Sequence, residues 1–350
     1  MTLNFCTLFN SSYLSRGLVM YQSLERHCKD FHLYIYAFDD KSFEVLRKLN
    51  LKHATIVSLK EFESPELLAV KKDRSAAEYC WTCSASTIHY SITQFNLSNC
   101  TYIDADMLFY SDPRVLFEEM GHNSALITAH RYTAKYDQSA ISGRYCVQFV
   151  TFKNDEAGMK VLEWWRQSCL DWCYARVEDG KFGDQKYLDE FQPRFGNVHE
   201  LQHLGGGLAP WNIQQYTFGK NSQELIGTES ATGKTFRPVF FHFHGLKFFE
   251  NNILSLTGEY YEIAPEIIEK FYKPYVALLN QAKQEVLTVD SSFNPHGSAG
   301  ISPYPPLNFI TIIRFYLSGV KRSLKNVLGT GLRDRIARHY YFYNDNDFHA

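Results

Sequence analysis

The chain has 350 residues, enough for about two domains at roughly 150 residues each. Its 36 Lys and Arg against 38 Asp and Glu leave a formal charge of −2, which excludes the basic footprint of a nucleic-acid binder. Hydrophobic residues at 45% and charged residues at 21% are globular proportions and exclude a disordered chain.

The longest apolar stretch, Leu307 to Leu317, is broken by Asn308 and Arg314 and falls short of the roughly eighteen residues of a membrane span. No basic-then-apolar leader opens the chain, so no signal peptide and a cytoplasmic location are expected. The 8 cysteines are too sparse for a disulfide framework. Cys80 and Cys83 form a CxxC and Cys169 and Cys173 a CxxxC, read as buried thiols in preference to a shared zinc site.

In chain order, Leu3 to Phe9 reads as a strand. Asn10, Ser11 and Ser12 then offer caps for a helix carrying Leu14, Leu18, Tyr21 and Leu24. Phe31 to Phe38 is strand-like and stops at Asp39 and Asp40. A helix near Phe43 to Leu49, a strand at Thr55 to Leu59, a long helix at Ala76 to Phe95 and a strand at Cys100 to Ile103 follow. This alternation implies a mostly parallel sheet flanked by helices, with ligands gathering beyond the carboxyl ends of the strands. Ala125 to Thr128 and Val147 to Phe152 read as strands. Glu156 to Val177 reads as a helix bearing Trp164, Trp165 and Trp172, taken as core in preference to a sugar-stacking wall. Gly205, Gly206 and Gly207 mark close backbone approach, and Gly227 to Lys234 reads as a loop. From Pro303 to Arg338 the chain reads as a basic amphipathic helix, packed on the rest or resting on an anionic membrane surface.

Two segments carry chemistry. Asp104 and Asp106 flank Ala105 just past Thr101-Tyr102-Ile103. Such paired carboxylates repel unless a cation sits between them, and oxygen donors suit Mg²⁺ or Mn²⁺. His242 and His244 lie on an aromatic strand followed by Gly245 and Lys247, so both imidazoles project to one side.

These segments, with Asn10-Ser11-Ser12-Tyr13 and Phe182-Gly183-Asp184-Gln185-Lys186, resemble the GT-A fold nucleotide-sugar glycosyltransferases, and within them the family 8 type, over about residues 3 to 250. The resemblance implies a Rossmann-like α/β catalytic domain at residues 1–255 and a helical C-terminal region at 256–350. It implies Mn²⁺ or Mg²⁺ held by Asp104, Asp106 and His242, with His244 the alternative ligand. Thr7, Asn10, Tyr13, Arg74 and Asp104 would meet the donor nucleotide, and Gly245 and Lys247 its diphosphate. Asp184, Gln185 and Gln148 would serve catalysis beside the transferred sugar, and Trp211 and Asn212 the acceptor. Arg131 to Gly143 is the candidate lid.

The implied activity is hexosyl transfer, with retention, from a UDP-type sugar to a glycan or lipid-linked acceptor in surface polysaccharide or lipopolysaccharide synthesis. Two departures stand out. Tyr145-Cys146-Val147-Gln148 replaces the family's Asn-Ala-Gly element, and Lys247 follows Gly245 one residue early without Pro-Trp. They leave a non-catalytic sugar-nucleotide binder as an alternative. A DxD phosphohydrolase is a weaker one, because its acidic pair would follow the first strand.

Overall fold

The computed structural model describes residues 2–221, 224–257, 261–301, 313 and 341–348. Its centre is a seven-stranded sheet in the order β3-β2-β1-β4-β7-β6-β8. The strands are β1 (Leu3–Phe9), β2 (Phe31–Ala37), β3 (Ala54–Ser58), β4 (Asn99–Ile103), β6 (Ala125–Ala129), β7 (Tyr145–Lys153) and β8 (Val198–Glu200). β5 (Met107–Phe109) lies outside this sheet. Every neighbouring pair is parallel except the two that β7 makes, with β4 and with β6. β7 therefore starts at the edge of the sheet where β1, β4 and β6 finish, and its first residues join theirs there.

Both faces of the sheet are covered, so its strands are buried on both sides. Along β1, Leu3, Phe5 and Phe9 enter one core and Cys6 and Leu8 the other. The first core is roofed by α1 (Leu14–His27) and α2 (Asp40–Leu49). The second is roofed by α5 (Ala76–Gln94) and α8 (Glu156–Asp171), after the short α3 (Leu59–Phe62) and α4 (Pro65–Lys71). Capping fixes where these helices begin. Asp39 accepts from Ser42 N at the start of α2 and also from Ser11 N and Oγ, tying the ends of β1 and β2 together. Ser75 and Glu78 form a capping box on α5, and Asp155 caps α8.

The remaining strands are short. α6 (Arg114–Glu119), α7 (Ser139–Ser142) and α9 (Phe191–Arg194) fill the connections before β9 (Tyr216–Asn221), β10 (Glu224–Glu229) and β11 (Thr235–Phe236), which form an antiparallel sheet. The segment expected as a loop from Gly227 thus begins inside β10, where Gly227 makes room for the Phe236 ring across the pair. β12 (Phe240–His242) pairs with β5, bringing His242 opposite Met107. Phe240 stacks on Phe149 of β7 and meets Phe109 edge-on, which pins this small ribbon to the main core.

Beyond Gly245, β13 (Lys247–Phe248), β14 (Ile253–Ser255) and β15 (Phe342–Asn344) form a third sheet. The region after 255 is therefore not helical throughout, because β14 takes its second partner from residues 342–344. α10 (Pro265–Ile267) leads to α11 (Lys273–Val289), whose Val276, Leu279 and Val286 enter the same core as α1. The basic stretch from Arg314 to Arg338 lies outside the described residues. Among the described residues no helix is long and apolar enough to cross a membrane.

The tryptophans divide. Trp165 is fully buried and donates from Nε1 to the Asp184 carbonyl at 2.9 Å. Trp164 packs edge-on against Tyr187 and Phe195. Trp172 lies just past the end of α8, which stops at Asp171, short of the expected Val177. Cys83, Cys169 and Cys173 are free thiols buried in the second core.

Gly158 sits in the first turn of α8, where an added Cβ would stand 2.4 Å from the Lys153 carbonyl oxygen and 2.9 Å from that of Ser124. Glycine to alanine in a helix ordinarily stabilises by about 1 kcal/mol. Here the sign should reverse: Gly158→Ala is expected to lose about 1–3 kcal/mol by overpacking, read as a lower midpoint in urea.

Candidate metal and nucleotide-sugar site

A cavity of about 680 Å³ opens at the carboxyl ends of the parallel strands. Its wall takes Leu8, Phe9 and Asn10 from the end of β1, Asp104 from the end of β4, His130 from the end of β6 and Cys146 from the start of β7. The size and position are those of a small-molecule site in an open α/β sheet.

At its floor Asp104, Asp106 and His242 present ligand atoms that all lie within 4.8 Å of one another, an arrangement that could hold a metal ion. His242 Nε2 is 3.1 Å from Asp106 Oδ1 and 3.8 Å from Asp104 Oδ2. The carboxylates keep 27% and 15% side-chain exposure, so a ligand can reach them, while His242 keeps 6%. The backbone holds the arrangement closed, with Phe243 N donating to Asp106 O at 2.9 Å beside the β5–β12 pairing.

The electrostatics separate the two carboxylates. Burial pushes Asp104 up to about 6, helped by Asp106 and opposed by the nearby His242. Burial also acts to raise Asp106, but the charge and hydrogen bond of His242 outweigh it, with His244 and Arg16 adding, and hold it down at about 2. His242 is correspondingly raised, since Asp106 overcomes the burial that would lower it. His244 and His130 go the other way. Burial and the charge of His242 take His244 down to about 4, and burial takes His130 down to about 3, so both stay neutral.

Asp184 lies in the same cavity at 6% exposure. Burial pushes it up to about 7, with Ser84 pulling it down and Asp104 pushing it further up. Gln185 lines the wall beside it. Tyr13 is 41% exposed at the other side, with the Arg16 guanidinium 4.4 Å from its ring centroid. Asn10 lines the wall too, although its side chain also caps the turn into α1.

Several expected residues stand elsewhere. Thr7 is buried inside β1, and its neighbours Leu8 to Asn10 reach the cavity in its place. Arg74 turns away, with its guanidinium 3.8 Å from the Tyr174 ring centroid and Nη2 donating to the Leu170 carbonyl. Ala76 and Ala77 form the wall at that point. Gln148 is fully buried and absent from the cavity wall, its Oε1 2.8 Å from Nδ1 of His242, which lines the cavity together with Cys146 and Val147. His242 and His244 belong to the wall, whereas Gly245, at φ +83, and the exposed Lys247 follow beyond it.

Trp211 does line the cavity, edge-on to both His242 and His244. Asn212 is instead fully buried and spends its amide on the carbonyls of His130 and Gly207. The segment 131–143 borders the cavity through Tyr132, Gln138 and Ser142, and it is tied outward by Lys135 to Glu262 and by Gln138 to Tyr261. Sequence reasoning passed over His130, Trp81 and Tyr261, all in the wall, and named Cys146 only within the segment that departs from the family. Of the three, only His130 carried a signal, standing just past the end of β6, at the edge that faces the site.

No protein-family model matches the chain. The uncharacterized protein YfnD of Bacillus subtilis (strain 168) is 30% identical over 300 residues, spanning 83% of this chain and 93% of YfnD. The chain belongs to the YfnD family. A second relative from the same strain, the uncharacterized YfnF, is 29% identical over 306 residues, 85% of this chain and 98% of YfnF. Solved structures are more distant from this YfnD-family chain. The bifunctional glycosyltransferase WbbM aligns over 83% of this chain and 52% of its own at 11% identity and a TM-score of 0.48. The galactosyltransferase LgtC, in complex with donor and acceptor sugar analogs, aligns over 80% and 96% at 12% identity and a TM-score of 0.46. These likenesses are loose, and the functional reading rests on the residues of the site.

Asp184 makes a test of the cavity's electrostatics in ion-free protein. Its carboxyl stays neutral in the folded chain up to about 7 but ionises near 3.8 once exposed. The folded chain therefore binds the extra proton between those values, and stability from this group, complete below about pH 4, is lost as pH rises towards 7. Asp184→Asn should remove that loss. Urea denaturation at pH 8 is expected to find the variant stabilised relative to the parent by on the order of a few kcal/mol more than at pH 4.

Proposed function

We propose that this chain is a divalent-metal-dependent glycosyltransferase of the GT-A type, acting on a nucleoside-diphosphate sugar. The observation that carries the reading is the convergence of Asp104, Asp106 and His242 at the floor of the strand-end cavity. Two carboxylates and an imidazole fit a divalent cation. The nitrogen donor tips the set towards Mn²⁺ over Mg²⁺, because transition ions hold imidazole better. When bound, the ion supplies Lewis-acid stabilisation of the charge that grows on the departing diphosphate.

The residues of the chain take the other parts. Tyr13 offers an exposed ring against which a nucleobase stacks, with Asn10 beside it at the end of β1. Asp184 and Gln185 face the transferred sugar across the cavity from the ion site. A carboxyl held at about 7 both accepts and donates to sugar hydroxyls near neutral pH. The walls of Trp211, Tyr132 and Tyr261 exclude water that would otherwise hydrolyse an activated donor. The segment 131–143 is the closing element. Lys247, exposed just after the wall, adds positive charge towards the diphosphate as it leaves.

A UDP-type donor, a glycan or lipid-linked acceptor, retention of configuration and a place in surface polysaccharide synthesis complete the reading. They rest on the motif resemblance over the N-terminal 250 or so residues.

Donor hydrolysis and transfer measured with and without Mn²⁺ test it. Asp106→Ala is expected to cost a hundredfold or more, about 3 kcal/mol of barrier, and chelation should do the same to the parent. Turnover that survives both treatments would sink the assignment. Cation-dependent donor binding without turnover across an acceptor panel would instead identify a sugar-nucleotide binding protein.

A further inference from the structure

We propose that Gln148 is the positioning residue of the ion site, setting the tautomer and ring orientation of His242 with its side chain and the placement of Asp104 with its backbone. The proposal rests on the reading of Asp104, Asp106 and His242 as ion ligands. Gln148 Oε1 lies 2.8 Å from His242 Nδ1, with the glutamine fully buried and the histidine at 5% exposure. An amide oxygen can only accept, so Nδ1 carries a hydrogen; in the ion-free chain Nε2 directs a second proton at Asp106, and once that proton leaves the Nε2 lone pair faces the ion. Nε2 is indeed the nitrogen that stands 3.1 Å from Asp106. The carbonyl of the same glutamine accepts from Asp104 N at 3.3 Å. One residue of β7 thus reaches two of the three ligands, which come from segments far apart in the chain.

The far end of the amide has no hydrogen-bond partner among the described residues: Gln148 Nε2 is buried beside Gly207, where an added Cβ would stand 3.3 Å from it and 2.9 Å from Arg131 Nη2. Gly207 has φ +99, which only glycine adopts readily. The glycine cluster thereby gains a role beyond a turn: it leaves room for a polar side chain behind a ligand. Hydrogen bonds of this kind to a coordinating imidazole fix its orientation and raise its basicity, and their loss typically weakens metal binding about 10–100-fold.

The test is Mn²⁺ titration of the nucleotide-free protein, with free ion followed by electron paramagnetic resonance. Gln148→Leu and Gln148→Met keep the bulk but remove the acceptor, and each should raise the Mn²⁺ dissociation constant about 10–100-fold at a melting temperature close to the parent's without ion. Gln148→Glu restores an acceptor and should bring binding back to within a few-fold of the parent. Unchanged affinity in the Leu and Met variants overturns the proposal, as does a loss that Glu fails to restore, which would assign the residue to packing. Long-range proton–nitrogen spectra of the Mg²⁺-loaded parent give an answer without mutation: a proton on His242 Nδ1 supports the proposal and one on Nε2 overturns it. A parent chain that takes up neither ion fails the ion-site reading first, before any variant is compared, and takes the proposal with it.

Discussion

The site depends on one short antiparallel pairing. Asp104 and Asp106 come from the end of a central strand, but the imidazole opposite them is delivered from late in the sequence by a ribbon of three residues on each side. So short a ribbon has little stability of its own. Aromatic packing supplies what hydrogen bonds cannot: Phe240 lies on Phe149, Phe109 meets it edge-on, and Phe241 and Phe243 pack onto Phe271, Tyr272 and Tyr275 near and on α11. Fully burying each such ring contributes about 1.5–3 kcal/mol. These aromatic contacts hold the histidine segment in register.

Charge in the cavity follows from the same convergence. Three imidazoles stand close together, and although Asp106 favours the charged form of both His242 and His244, it outweighs burial only at His242. The proton on its ring in the ion-free chain occupies the position where a cation would act, and uptake of the ion means release of that proton. Asp104, less well served by His242 than Asp106 is, remains the one of the pair that burial leaves raised. The cavity floor is thus poised for positive charge, and its aromatic walls suit flat apolar faces.

Much of this was legible in sequence where local chemistry and periodicity agree. β1, β2, β4 and α5 were bounded within a residue or two, because buried runs, Ser and Asp caps and a capping box mark their ends. The acidic pair was legible because two adjacent carboxylates at a strand end have few structural excuses. The second half was harder. β5 and β12 are three residues long and carry no period, and β15 pairs with β14 only through the fold. Trp81 and Tyr261 are residue types that ordinarily fill cores, so their place in the wall shows only in three dimensions. Arg74, in the turn between α4 and α5, was misleading for a related reason: the ring of Tyr174, far along the chain, captures its guanidinium. Gln148 was expected at the site from the family resemblance, but its place behind the site's histidine depends on β12, a late three-residue strand that brings His242 onto its side chain.

The third small sheet gives the molecule a temporal property. Ser15 in the first helix binds the imidazole of His296 and the carbonyl of Pro295, Arg16 reaches the carbonyls of His296 and Leu246, and Leu256 N donates to Tyr341 O just ahead of β15. The first helix described is therefore fastened by residues 280 positions further along the chain. During vectorial synthesis the Phe-rich face that α11 covers stands open until that helix emerges, and β14 keeps a bare edge until Phe342 to Asn344 arrive. A nascent chain of this kind has reason to wait in the company of a holding chaperone, and a cavity able to bind its ligand is a late event in the life of each molecule.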